Sequence, residues 1–520
     1  MRRGRRLASV TALAVAALDV SPATHTRQLP TAPPPAAASR AAAPDAKLQA
    51  DLADNLKAPA AARALVGVRI ESLRTGEVLF TSQSDKLVVP ASNMKLLTLA
   101  AAAKKLGWDH RFETRLEAMG TIANGVLTGD LIVTGTGDPS ITSPDGGHAA
   151  LFLEWADALT KAGIREVRGR LIGDDNAFDD TGIGAGWAWD YLTDGYAAPA
   201  GALSFNENTV TVRVAPGTGV GQPGTIRLTP PGATFTIVNQ VATVAAGTQA
   251  SVNVSRMPGG ATLTVSGRVP VGANETARVT TIDNPTRYFV EGLRLALAER
   301  GIRVSEGAFD IDDFTANRPP GLPENTRPIR LDGTTPPRRL IARRESAPLS
   351  ALGAQFLKVS QNFYGEMFLK AIGRTPERAG TAATGRAAAR EILGAWGITP
   401  DSFVMSDGSG LSRYDYVTAD TIVTLLKRVW EDDTLRGPFL AALPVGGHDG
   451  TLGSRMRNNA LTRRVQAKTG TISNMRALSG YLITDSGERI VFSIIANHYT
   501  APTSEIDEMA EKMLLRLVTR

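Results

Sequence analysis

At 520 residues the chain has room for roughly two to four domains and a sizeable core. With 43% hydrophobic and 21% charged residues it is not a disordered protein, and the lack of cysteine excludes disulfides, thiolate zinc sites, iron–sulfur clusters and cysteine nucleophiles. The net charge of +6 is concentrated at the start: residues 1–27 carry five arginines and one aspartate, leaving +2 on the rest and no dense basic stretch, so nucleic acid is not an expected partner.

The chain opens MRRGRR, and residues 7–18 are then free of charge. A basic start followed by a short apolar run is the pattern of a secretory signal peptide, and the run falls short of the ~20 residues that span a bilayer. Residues 1–27 are therefore expected to be a signal peptide, with no integral membrane segment in the mature protein. Residues 28–46, rich in Pro and Ala, read as a flexible linker.

Folded sequence begins near residue 47. Residues 65–73 and 78–82 read as strands around a turn at 74–77, and Pro90 and Gly107 bracket a Leu- and Ala-rich helix over 92–106. An α+β alternation fills 108–208. Residues 209–281, with abundant Val, Thr, Gly and Pro and no helical period, read as a small all-β module. A helical pattern returns at 285–301, and six prolines mark 318–338 as a connection. Residues 350–372 are helical with a break near Ser360. Strands follow at 465–471, 477–484 and 489–497. Ile506, Met509, Met513, Leu514 and Leu517 then line one face of a last helix. Its Glu505, Asp507, Glu508 and Glu511 argue against an anchor on an anionic membrane and for packing on the core.

Several signatures carry little weight. Gly219, Gly221 and Gly224 match a dinucleotide loop in letters, but Pro223 stands where a helix would have to open. The five histidines are scattered, no His-Glu-x-x-His helix or Gly-x-Ser-x-Gly elbow occurs, and His448 beside Asp449 reads as a loop pair. One serine–lysine pair stands out. Of twelve lysines only Lys95 has a serine three positions earlier, Ser92. Side chains at i and i+3 share a helix face, so a neutral amine there can take the serine proton, and the helix start favours developing negative charge. Lys468-Thr469-Gly470-Thr471 puts a cation and two hydroxyls on a strand, with a glycine that allows close backbone approach. Ser-x-Asn occurs three times, but only Ser360 and Asn362 lie at a helix break; Ser204/Asn206 and Ser251/Asn253 read as turn or strand residues.

Taken in order, Ser-x-x-Lys, Ser-x-Asn and Lys-Thr-Gly resemble the motif set of the penicillin-recognising serine enzymes, with Ser-Gln-Asn here in place of Ser-Asp-Asn. The long interval from Ser92 to Ser360 resembles the low-molecular-mass class C penicillin-binding proteins, the D-alanyl-D-alanine carboxypeptidase/endopeptidase family. Residues 129–141, 173–180, 186–208, 406–413 and 449–452 are similar to that family too. The resemblance implies an α+β chain: a penicillin-binding-protein/β-lactamase-like α/β/α catalytic domain with an antiparallel sheet (47–107 and 335–520). An inserted α+β domain (108–208 and 282–334) splits it and carries a nested all-β domain (209–281).

It further implies that Ser92 attacks the carbonyl between two terminal D-alanines after Lys95 removes its proton. Lys468 would help keep Lys95 neutral by like-charge repulsion. The backbone N–H groups of Ser92 and Thr471 would form the oxyanion hole, and Ser360 would protonate the departing D-alanine. Asn362 would hold the substrate backbone; Lys468, Thr469 and Thr471, beside Gly470, would bind the terminal carboxylate. Expected partners are peptidoglycan stem peptides, with β-lactams as covalent inhibitors; no metal or organic cofactor is needed. The expected location is periplasmic or cell-wall associated after export. The alternatives are a β-lactamase, against which the long insertion argues, and a non-catalytic penicillin-sensing or wall-binding module.

Overall fold

The computed structural model describes residues 45–314 and 337–520. The expected signal peptide, nearly all of the linker and nearly all of the proline-rich connection lie outside the described residues.

The central element is a five-stranded antiparallel sheet. Strands β1 (Leu65–Ser72) and β2 (Val78–Ser82) come from the N-terminal segment; β3 (Val465–Ile472), β4 (Met475–Ile483) and β5 (Arg489–Asn497) come from the C-terminal one. The spatial order is β3-β4-β5-β1-β2, so β3 is an edge strand. Because successive side chains on a strand point to opposite faces, a sheet covered on both sides serves two cores. Ala477, Tyr481, Val491 and Ile495 belong to one core; Val68, Ile70, Leu478, Leu482 and Phe492 belong to the other.

Helices α1 (Ala46–Asn55) and α2 (Met94–Leu106) come before the insertion, and α3 (Leu349–Lys358), α4 (Asn362–Gly373) and α5 (Thr503–Val518) after it. α1 and α5 cover the second core, where all five apolar residues expected on α5 are buried. α2 occupies the first core and is apolar all round: Met94, Leu96, Leu97, Leu99 and Ala100 are fully buried among α3, α4 and the helices Ala382–Ala395 and Ala419–Glu431. Lys95 lies in the first turn of this helix and is fully buried with it.

Between α2 and α3, helices Ala150–Lys161 and Pro285–Glu299 pack through Phe152, Trp155, Phe289 and Leu293 against a mixed sheet built on the hairpin Glu113–Ala123/Val126–Gly135. The strand Arg338–Glu345 pairs antiparallel with Glu113–Ala123 and so forms an edge of this sheet, although its position suggested the C-terminal segment. Within 209–281, two three-stranded sheets share a small core of Val212, Val214, Val241, Leu263 and Val265. The whole is α+β.

Candidate active site

Ser92 sits in a tight 3-10 turn, Ala91–Asn93, that runs directly into α2, rather than in the first turn of the α-helix itself. Pro90 leads into the turn, and Ala91 adopts a left-handed backbone conformation (φ 47°) that a non-glycine residue rarely takes. Two glycines clasp this segment. A Cβ on Gly470 of β3 would lie 2.6 Å from the Pro90 carbonyl oxygen, and one on Gly410 would lie 1.9 Å from that of Ala91. The space that the sequence reserved at Gly470 for a ligand backbone is thus used by the chain's own serine-bearing turn. Asn93 anchors the same turn by donating from Nδ2 to Ser479 Oγ on β4 at 2.7 Å.

The Lys95 amine lies 2.8 Å from Ser92 Oγ, 2.6 Å from Asn362 Oδ1 and 2.6 Å from the Ser409 carbonyl oxygen. A neutral amine has two protons and one lone pair. Donating to Asn362 and Ser409 leaves the lone pair for the serine proton. Burial pushes this amine down to about 7, against the opposing pull of Asp407, Glu366 and Asp415. The expected cause was repulsion from Lys468; removal from water is the larger one, and the repulsion registers at Lys468, which burial, then Lys95, then Arg476 hold well below the usual lysine range.

Ser360 lies between α3 and α4 with φ 63°, so the helical run breaks there. Its Oγ accepts from Lys468 Nζ at 2.8 Å, and the same amine donates to the Thr469 carbonyl at 2.8 Å. Asn362 is engaged at both ends, since its Nδ2 donates to the Tyr196 carbonyl at 2.8 Å while Oδ1 takes Lys95. On β3, Thr469 hydrogen-bonds Thr451 Oγ1 at 2.8 Å, and Thr471 accepts from Arg476 on β4. All eight residues singled out from the sequence therefore meet around one place. Ser92, Ser360, Asn362, Thr469, Thr471 and Thr451 line a cavity of about 400 Å³ whose wall also includes Tyr191 and Tyr196 from the inserted segment. The fully buried Lys95 and Lys468 stand behind it, and Gly470 packs beside Ser92.

A larger cavity of about 540 Å³ lies among Asp175, Asp310 and Asp312 of the insertion. It brings no serine near an amine, so chemistry selects the smaller one. The remaining predicted alternatives fall elsewhere. Ser204 accepts from Asn208 Nδ2 while Asn206 Nδ2 donates to the Thr209 carbonyl, Ser251 opens a strand, and Asp449 is taken by Lys358 Nζ at 2.6 Å rather than serving His448 in a triad.

Of the support behind Lys95, the sequence marked only the stretch 406–413, without a role. The loop at 406–413 wraps around Asp407, whose carboxylate accepts from the N–H groups of Ser409, Gly410 and Ser412 and from Trp187 Nε1. Glu366 of α4 accepts from Gly408 and Ser409 N–H, and Asp415 from Ser406 and Asp407 N–H. Burial, then Asp407, pushes Glu366 up to about 8 and Asp415 well above the usual carboxylate range. These carboxylates fix the Ser409 carbonyl that orients the Lys95 amine. Thr451 was likewise missed; only its place in 449–452 pointed to it.

The profile of the D-Ala-D-Ala carboxypeptidase 3 (S13) family matches residues 48–314 and 325–516. A D-alanyl-D-alanine carboxypeptidase from Actinomadura sp. (strain R39) is 32% identical over 479 residues, covering 90% of this chain and 84% of that protein. The D-alanyl-D-alanine carboxypeptidase DacB of Haemophilus influenzae is 27% identical over 84% of this chain and 86% of its own length. The crystal structure of penicillin binding protein 4 (dacB) from Haemophilus influenzae superposes with a TM-score of 0.75 at 23% identity, covering 90% of this chain and 99% of that one. A second crystal structure of that protein, complexed with a novel β-lactam, gives 0.71 at 23% identity over 90% of this chain and 100% of that one. The fold is shared.

Proposed function

The chain belongs to the D-Ala-D-Ala carboxypeptidase 3 (S13) family and is a peptidase of that kind; we propose that it works through an acyl-enzyme on Ser92. The observation that carries this reading is a serine hydroxyl 2.8 Å from a fully buried amine that titrates near neutrality. Lys95 takes the Ser92 proton as Oγ bonds to the carbonyl carbon of the penultimate D-alanine. The N–H groups of Ser92 and Thr471 receive the negative oxygen. As the intermediate collapses, Ser360 gives its proton to the departing amine. Its oxygen already accepts from Lys468, which leaves that proton free to go and a donor at hand to replace it. Lys468, Thr469 and Thr471 hold the terminal carboxylate, Asn362 orients Lys95 and the edge of the substrate, and water then releases the acyl group.

β-Lactams present a strained amide to the same serine and are inhibitors in this reading, supported by the β-lactam complex of the Haemophilus protein. Peptidoglycan stem peptides lie outside the cytoplasm, so the mature enzyme acts in the periplasm or at the wall. Among the described residues no helix is long and apolar enough to cross a membrane. The catalytic domain comprises 47–107 and the C-terminal segment, the inserted domain 108–208 with 282–334, and the nested domain 209–281. Pairing of Arg338–Glu345 with Glu113–Ala123 favours counting that strand with the insertion.

Digestion of purified sacculi, with fragments identified by mass spectrometry, tests the reading. The native protein releases free D-alanine, or resolves cross-linked dimers if it acts as an endopeptidase, and Ser92→Ala does neither. Equal release by Ser92→Ala would overturn it.

A further inference from the structure

The cavity edge is tied to the C-terminal helix by a run of ion pairs that the mechanism above does not use. Arg476 stands directly across from Thr471 in the β3–β4 register and donates from Nη1 to Thr471 Oγ1. Its other nitrogens, Nε and Nη2, fork onto the two oxygens of Asp507 on α5 at 2.6 and 2.7 Å. Asp507 also takes Arg455 Nη1 at 2.9 Å, and Arg455 Nη2 pairs with Glu511 one helical turn on at 2.7 Å. The side chains of Arg476 and Asp507 are only 15% and 20% exposed. A two-point carboxylate–guanidinium fork this well shielded fixes both groups in one orientation.

A threonine hydroxyl has one proton and two lone pairs. With Arg476 donating to Thr471 Oγ1, the hydroxyl proton is directed away from the guanidinium, and Thr471 lines the cavity. An anion there meets a hydroxyl already oriented as a donor. We propose that Arg476 is a positioning residue that sets the Thr471 hydroxyl to donate to the terminal carboxylate of the substrate, and that the ladder Glu511–Arg455–Asp507 holds it there. The enzyme's preference for peptides ending in a free carboxylate is then built partly on α5. This rests on the peptidase reading above.

The test compares an N-acylated peptide ending in D-alanyl-D-alanine with the same peptide ending in D-alaninamide. Arg476→Gln lowers the acid-to-amide ratio of kcat/KM about tenfold, mainly by raising KM for the acid. Thr471→Val lowers the ratio similarly, the double variant is no worse than either single one, and Arg476→Lys recovers part of the ratio. An unchanged ratio in Arg476→Gln, equal loss on both substrates, or fully additive effects in the double variant would each overturn the proposal while leaving the peptidase reading intact. Failure of the native enzyme to hydrolyse the acid would overturn both.

Discussion

Lys95, the proposed base, shows how burial lowers the proton affinity of an amine. An exposed lysine stays protonated far above neutral pH, whereas this one, sealed in an apolar helix, titrates near 7. In the proposed mechanism the neutral amine is the reactive form, so acylation by a fluorescent penicillin should rise with pH through about 7 and level off above it. A flat profile from about pH 5.5 to about pH 8.5 would contradict this assignment. For Ser360→Ala, loss of the proposed proton donor should slow release of D-alanine by about a hundredfold or more at unchanged melting temperature. Chromatography of the released amino acid reads it out, and a change below about threefold would remove Ser360 from the proton path. Ser92 and Lys95 were legible from their spacing together with the later Ser-x-Asn and Lys-Thr-Gly motifs. Glu366 and Asp415 were not, and Asp407 only as part of the stretch 406–413, because nothing local distinguishes a carboxylate that folds inward from one that faces water. Only the tertiary fold closes the loop at 406–413 over them.

Among the elements, the decisive contact is between an edge strand and a helix start. β3 lies close enough to present Thr469 and Thr471 beside Ser92 because Gly470 has no side chain. Gly470→Ala must push the Pro90 carbonyl away, at a cost of about 1–3 kcal/mol, and displace Ser92 N–H with it. Thermal melting and acylation kinetics should fall together; native values for both would show that the approach is not tight. The helix break at Ser360 and the three C-terminal strands were readable from pattern. The 3-10 turn at Ser92 was not, because a left-handed Ala91 has no local sequence signal and is held by the two glycines that flank it. The strand Arg338–Glu345 was missed for another reason. Four of its eight residues are arginines, which give no strand pattern, although an edge strand tolerates such charge.

At the scale of the molecule, the chain leaves one sheet, builds a second, mixed sheet with its own apolar core and returns. The nested module leaves and re-enters on neighbouring antiparallel strands, with Thr209 opposite Thr281. Replacing 210–280 by a short turn should therefore leave the five-stranded sheet and its two cores folded. Thr281 N–H donates to the Thr193 carbonyl, and Thr193 belongs to the segment between Tyr191 and Tyr196 of the cavity wall. Excision should preserve acylation by penicillin within about tenfold while raising KM for stem peptides, because a small inhibitor depends less on that wall. Loss of acylation in a folded excision variant would show that the module shapes the reacting centre itself.

In the proposed mechanism Ser92 carries the acyl group. Trypsin releases residues 87–95, LVVPASNMK, in which Ser92 is the sole hydroxyl. After brief exposure of the native protein to benzylpenicillin, mass spectrometry should find the adduct on this peptide, and should find none on the corresponding peptide 87–104 of Lys95→Met. An adduct on any other peptide, or an unmodified protein, would contradict the account.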